Sequence, residues 1–209
     1  MTESVHPQSS TQSANDGLSH AWTFLKRFVA HPGQVGAIAP SSPALVSIMV
    51  DWIDWQRAES VVEYGPGTGV FTEAIVQRKR SGTSFFAIER AAELAAITRA
   101  RCPGVDVCEA SADQVLELLR ARGQSHADAI VCGLPWASFS EALQQSIMIA
   151  THDALSPGGQ FATFAYWQGV ALPEGRRFAR RLKSMFSSVD RSPTAWRNLP
   201  PAFVYRCVK

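Results

Sequence analysis

Cysteine is scarce in this chain, and the four present, Cys102, Cys108, Cys132 and Cys207, form no C-x-x-C pair. A disulfide scaffold and a thiolate zinc site are excluded on that ground, and a reducing, cytoplasmic setting is the expectation. The five histidines, His6, His20, His31, His126 and His152, show no ligand spacing, so no metal is expected. No stretch approaches the ~18 apolar residues of a membrane span. Residues 1–16 lack both the basic start and the apolar run of a secretory signal, so a chain that neither spans a membrane nor is secreted is expected. A nucleophile elbow of the G-x-S-x-G type is missing, and no internal repeat is visible. Charge is also sparse: 18% of residues are charged and the net is +2, from 20 Lys/Arg against 18 Asp/Glu, too little to argue for a nucleic-acid binder on composition.

What is present suffices for one core. At 209 residues and 46% hydrophobic, the chain is sized for a single domain with appendages. Its charge is unevenly placed. Between Pro173 and Lys209 nine Arg/Lys face only Glu174 and Asp190, a local +7, so the remainder carries −5. A weakly acidic body therefore ends in a basic segment suited to an anionic partner.

Residues 1–16 are polar with almost nothing to bury and read as a disordered tail. From Leu18 to Val29 the spacing of Leu18, Ala21, Trp22, Leu25, Phe28 and Val29 gives one apolar helix face, with Lys26 and Arg27 beside it. Ser42 is a candidate N-cap, with Pro43 at the first position of a helix running toward Trp55. Strand and helix then alternate. Strands are expected at Ser60–Tyr64, Ser84–Glu89, Val105–Glu109, Asp128–Cys132 and Gln160–Trp167, with helices between them; Ser138-x-x-Glu141 is a candidate capping box for the helix ending near Leu155. Runs such as VVEYG and AIVCG are near-continuously apolar, as parallel strands buried on both faces are. After a basic helix from Glu174 to about Phe186, Ser188–Ala195 and Ala202–Val208 follow without an intervening helix, which predicts an antiparallel hairpin at the sheet edge.

The sharpest local signal is Val61-Val62-Glu63-Tyr64-Gly65-Pro66-Gly67-Thr68-Gly69, where the first core strand feeds a helix. This is the place at which doubly wound folds bind nucleotides, and glycines let a ligand approach the backbone. The spacing is G-x-G-x-G rather than the dinucleotide G-x-G-x-x-G. A carboxylate at Glu63 would repel a pyrophosphate but attract an amino acid's ammonium, and S-adenosylmethionine carries such a group beside its sulfonium. Glu89, twenty residues after Gly69, closes the next strand where a carboxylate can accept two ribose hydroxyls.

On these residues the stretch Ala58–Lys209 resembles the class I S-adenosylmethionine-dependent methyltransferases. The resemblance implies a Rossmann-like α/β fold: a seven-stranded, mostly parallel sheet with a C-terminal antiparallel hairpin and helices on both faces. It implies S-adenosyl-L-methionine as cofactor, held by Glu63, Gly65, Gly67, Thr68, Gly69, Glu89, Ser111, Ala112 and Gly133, with Ser111 or Asp113 placed to meet the adenine. Cys132-Gly133-Leu134-Pro135-Trp136 resembles the Asn-Pro-Pro-Tyr signature of amino-methylating enzymes, with Gly133 where the Asn would stand. Backbone carbonyls of Gly133, Leu134 and Pro135 are then expected to hold the acceptor amine, with the Trp136 face covering it. Tyr166 and Tyr64 are the candidate bases, although a tyrosine with pKa ~10 is a poor one at neutral pH.

The segments Val35-Gly36-Ala37-Ile38-Ala39-Pro40-Ser41-Ser42, Pro157-Gly158-Gly159 and Trp196-Arg197-Asn198-Leu199-Pro200-Pro201 narrow the similarity to bacterial phospholipid N-methyltransferases. That implies an amino-phospholipid acceptor such as phosphatidylethanolamine. It also makes residues 17–57 a lid at an anionic, inner membrane surface, and 58–209 the catalytic core. A soluble small-molecule N- or O-methyltransferase is the second reading. An RNA adenine methyltransferase is the third, because the basic tail fits phosphates while an aromatic-rich RNA platform is lacking.

Overall fold

The computed structural model describes residues 41–209. The expected disordered tail, the Leu18–Val29 helix and most of the lid lie outside the described residues. Seven strands, β1 (Ser60–Tyr64), β2 (Ser84–Ile88), β3 (Asp106–Cys108), β4 (Ala127–Cys132), β5 (Leu155–Tyr166), β6 (Ser188–Arg191) and β7 (Ala202–Val208), form one sheet in the order β3-β2-β1-β4-β5-β7-β6. The first five are parallel; β7 runs antiparallel to both β5 and β6, as the missing crossover helix predicts.

Helices cover both faces. Val62, Tyr64, Ile130, Cys132, Phe161 and Tyr205 point to one side. They are packed there by α4 (Val115–Arg120), α5 (Glu141–Ala154) and α7 (Pro173–Met185). Val61, Ala129, Val131, Ala162 and Val204 point to the other, against α1 (Pro43–Val50) and α2 (Val70–Arg78). The remaining helices are α3 (Ala92–Arg101) and the single turn α6 (Trp167–Val170). β1 is buried at all five positions, the two-sided burial its continuous apolar run requires. Asp128 ties the bottom of the sheet together: its carboxylate accepts the Glu59 and Ser60 amides and the Ser156 hydroxyl.

Ser42 caps α1 as expected, its hydroxyl accepting the Leu45 amide with Pro43 next to it, but the helix stops at Val50 rather than reaching Trp55. The start of α5 differs from the predicted box. Ser140, not Ser138, is the N-cap, accepting the Leu143 amide, because the chain first makes a separate 3₁₀ turn, Trp136–Ser138. The basic helix places Phe178 and Leu182 in the core and leaves Arg176, Arg177 and Arg180 outward, the two-sided pattern its sequence predicts.

Candidate active site

All parallel strands end on one edge, and the glycine turn follows the most central of them. Gly65 (φ 63°), Gly67 (φ 58°) and Gly69 (φ 80°) all adopt the left-handed conformation that only glycine enters freely. Gly69 is also the N-cap of α2. The turn is pinned from behind: the Gly65 amide donates to the Ile88 carbonyl, and the Thr98 hydroxyl donates to the Gly67 carbonyl. Thr68 lies between them, its carbonyl accepting from Arg101 at 3.5 Å.

Glu63 is 1% exposed, and its carboxylate oxygens and the Thr72 hydroxyl on the first turn of α2 face each other without a hydrogen bond of full geometry and have no other partner. Burial, with the Glu89 charge adding to it and Thr72 opposing, pushes the Glu63 pKa from 4.5 up to about 8. A buried, unsatisfied carboxyl is costly, and such groups mark places where a ligand supplies the missing partner. Glu89 is also buried, but occupied. Its carboxylate accepts the Gly67 amide at 3.3 Å and the Ala91 amide at 3.0 Å, so it braces the glycine turn. Burial raises its pKa while those amides lower it. With about four lone-pair sites on a carboxylate, two amide bonds leave capacity for ligand hydroxyls.

Beside these acids a cleft is lined by Gly65, Ile88, Ala110, Ala112, Leu134 and Phe139, and by Glu89, Arg90 and Ser111 at its polar end. Ser111 and Ala112, expected to hold the cofactor, are among the residues that line it. Asp113 is not among them: its carboxylate accepts the Ser146 hydroxyl on α5. Phe139, with Leu143 and Ile147 of α5, was not singled out in the sequence, although their i, i+4, i+8 spacing just after strand four is a readable signal.

Gly133 explains its own identity. A β-carbon there would lie 2.7 Å from the Gly65 carbonyl oxygen, so β1 and β4 approach so closely that the Asn of the amino-methylating signature has no room. The Gly133 amide donates to the Tyr64 carbonyl at 2.8 Å, and the Leu134 carbonyl already accepts the Trp136 amide. Trp136 is 6% exposed; its indole N–H donates to the Thr163 hydroxyl at 2.8 Å and its ring stacks on Phe178 at 4.8 Å. It is packed into the core cluster at the foot of the acceptor loop. Trp136→Phe should keep the stack, lose the N–H bond and lower stability by ~1–2 kcal/mol with cofactor affinity unchanged. Urea denaturation and calorimetry on one preparation check this, and a large loss of affinity at full stability would place the indole at the ligand instead.

Both candidate tyrosines are held in the protonated form. The Tyr64 hydroxyl is fully buried in the core, 3.5 Å from the Thr151 hydroxyl, and burial raises its pKa above the usual phenol value. Tyr166 ends β5 at the functional edge, edge-on to Phe164, and burial pushes its pKa up to about 12, so at neutral pH it is a donor. Among the described residues no group of three or more His, Cys, Asp or Glu is arranged to hold a metal ion.

The sequence is 33% identical, over 187 residues, to the ornithine lipid N-methyltransferase of Singulisphaera acidiphila, an alignment covering 88% of this chain and 93% of that protein. The chain belongs to the class I S-adenosylmethionine-dependent methyltransferases. No protein-family model matches it. The methyltransferase fold recurs in solved structures of low identity. An O-methyltransferase from Bacillus cereus in complex with SAH aligns with TM-score 0.64 and 14% identity, over 97% of this chain and 93% of that one. The O-methyltransferase TomG from Streptomyces achromogenes, in complex with SAM, gives 0.65 and 16%, over 93% and 90%. The N-methyltransferase NodS from Bradyrhizobium japonicum gives 0.55 and 15%, over 93% and 97%. This methyltransferase uses S-adenosyl-L-methionine, and its own geometry fits that cofactor. The buried Glu63 suits an ammonium group, the glycine turn admits a close approach, and the apolar cleft beside Glu89 suits a purine and its ribose.

Proposed function

We propose that the enzyme N-methylates the amine head group of a lipid, phosphatidylethanolamine or an ornithine lipid, at an anionic membrane surface. The observation carrying this is the near-full-length relationship to a lipid N-methyltransferase, which spans the glycine turn and the acceptor loop alike. The bound cofactor supplies an electrophilic methyl on a sulfonium. In this proposal the chain's own residues position and desolvate. Glu63 receives the cofactor's ammonium group, Glu89 its ribose hydroxyls, and Gly65, Gly67, Thr68 and Gly69 give it backbone room. Ser111 and Ala112 border the base.

On the acceptor side, Gly133, Leu134 and Pro135 present carbonyl oxygens to the amine. Trp136 supports that loop from below, and Tyr166 stands at the neighbouring strand end. Among the described residues beside the acceptor loop no side chain is a base at neutral pH, so in this reading the amine is taken up in its unprotonated form, its proton lost to water before transfer. Such a site favours activity rising toward alkaline pH.

Labelled methyl offered with detergent-dispersed lipid extract, free amines and RNA tests the reading. Label is expected in amino lipids. Label in soluble amines or RNA alone would replace it with one of the other two readings.

A further inference from the structure

Among the described residues, four apolar side chains stand exposed at one end of the sheet: Trp196 (72%), Leu199 (58%), Leu172 (52%) and Trp167 (42%). They come from two neighbouring segments. α6 continues directly from β5, and the 192–201 loop leads into β7, whose first residue Ala202 pairs with Tyr166. The Trp167 indole N–H donates to the Thr194 hydroxyl, and the Trp167 amide donates to the Pro201 carbonyl, which fastens the two segments together.

The loop is held firmly while these side chains point outward. Asn198, between Trp196 and Leu199, is buried; its side-chain amide donates to the Pro200 carbonyl, and its oxygen accepts the Ser42 amide. Ala195 bridges to Ala202. Exposed tryptophan and leucine on a clamped loop form an apolar patch of the kind that marks an interaction surface. Charge beside the patch selects the partner. On α7, Arg177 pairs with Glu174 and Arg181 with Glu141 of α5, while Arg176 and Arg180 stand exposed, and Arg197 stands exposed beside Trp196. Tryptophan and leucine backed by arginine suit the interface of an anionic bilayer, where the indole sits at head-group level and the guanidinium meets phosphate.

Position ties the patch to the chemistry. β5 and β7 are the next two strands beyond β4, so the patch lies on the same edge as the acceptor loop, displaced by roughly 10 Å at about 4.8 Å per strand. We infer that this patch is a membrane-docking surface that seats the protein on anionic lipid with the acceptor loop facing the head groups, an inference that rests on the lipid-methylating reading.

The full-length protein carrying Trp196→Ser together with Leu199→Ser tests this against wild type, using vesicles of phosphatidylglycerol with phosphatidylcholine, vesicles of phosphatidylcholine alone, and amino lipid in detergent micelles. Both positions are exposed, and unchanged affinity for S-adenosylhomocysteine verifies the fold. Wild type is expected to co-sediment with the anionic vesicles and to be released by salt. The double variant should partition roughly tenfold or more weakly and lose methyl transfer on vesicles in proportion, while keeping it on micelles. Equal vesicle binding by variant and wild type overturns the inference, as does a wild type that never binds. A wild-type dimer turned into a monomer by the substitutions, with no change on vesicles, overturns it in favour of contact between two copies. If no lipid is methylated even in micelles while vesicle binding still depends on the two residues, the functional reading falls and the docking surface stands.

Discussion

Glu63→Gln should flatten two pH dependences at once and remove most of the cofactor affinity. In the ligand-free protein the Glu63 pKa stands at about 8 against 4.5 for an unperturbed carboxyl, so the folded state holds its proton more tightly than the unfolded state. Stability is therefore full below about pH 4.5 and is lost as pH rises toward about 8, by at most roughly 5 kcal/mol at ~1.4 kcal/mol per pKa unit. The glutamine variant has no proton to lose, so its stability should stay level across that window and exceed wild type at pH 8. Cofactor binding should run the opposite way. In the proposed site an ammonium group selects the ionised carboxylate, so wild-type affinity climbs between pH 6 and 7.5, by up to roughly tenfold per unit. Loss of a charge-assisted bond of about 1.5–3 kcal/mol should weaken the variant by roughly 10- to 150-fold. Thermal melts and titration calorimetry from pH 5 to 9 measure both. Identical slopes in the two proteins would show that Glu63 does not titrate in the window, and unchanged affinity would remove it from the cofactor site.

Gly133→Asn should damage the enzyme although it recreates the amide of the amino-methylating signature. The new β-carbon meets the Gly65 carbonyl at 2.7 Å and the Tyr64 carbonyl at 3.4 Å, backbone atoms at the end of β1 and in the turn proposed to receive the cofactor. Neither can swing aside as a flexible side chain does, so β1 and β4 must spread. Overpacking of this kind costs about 1–3 kcal/mol. Because Gly65 is displaced directly, cofactor affinity should drop about tenfold or more with it. Gly133→Ala should show most of the same loss, since the β-carbon and not the amide is the cause. Chemical denaturation with S-adenosylhomocysteine titration measures both effects, and a stable, more active Gly133→Asn enzyme would show that the strands yield without penalty.

Much of this protein is legible along the chain because its signals are local. The apolar runs of β1 and β4, the glycines that need positive φ, Ser42 with Pro43, and the amphipathic α7 each depend on residues within a few positions of one another, so periodicity and turn chemistry expose them. Errors fell where neighbours compete. Ser138 and Ser140 offer equivalent caps, and the 3₁₀ turn that chooses between them is set by how the chain leaves β4. On the candidate site's cofactor side Glu63 and Glu89 sit at fixed distances from the glycine turn and can be placed from spacing, whereas placement on the acceptor side depends on packing. Tyr64 and Trp136 follow the right strands, yet side-chain direction and packing send one hydroxyl to Thr151 and the other ring onto Phe178.

The sequence by itself determined the alternation of strand and helix, the reversed final hairpin and the pair of acids around a glycine turn, since each is written in spacing that backbone geometry reads directly. Only the tertiary structure decided three further matters: that Glu63 is buried without a full hydrogen bond while Glu89 is braced by two amides, that Gly133 is glycine because the Gly65 carbonyl occupies its β-carbon space, and that Trp167 and the loop carrying Trp196 are fastened side by side through Thr194 and Pro201. Each depends on atoms brought together from distant positions, and burial, desolvation and steric exclusion are properties of that assembly and of no single stretch of chain.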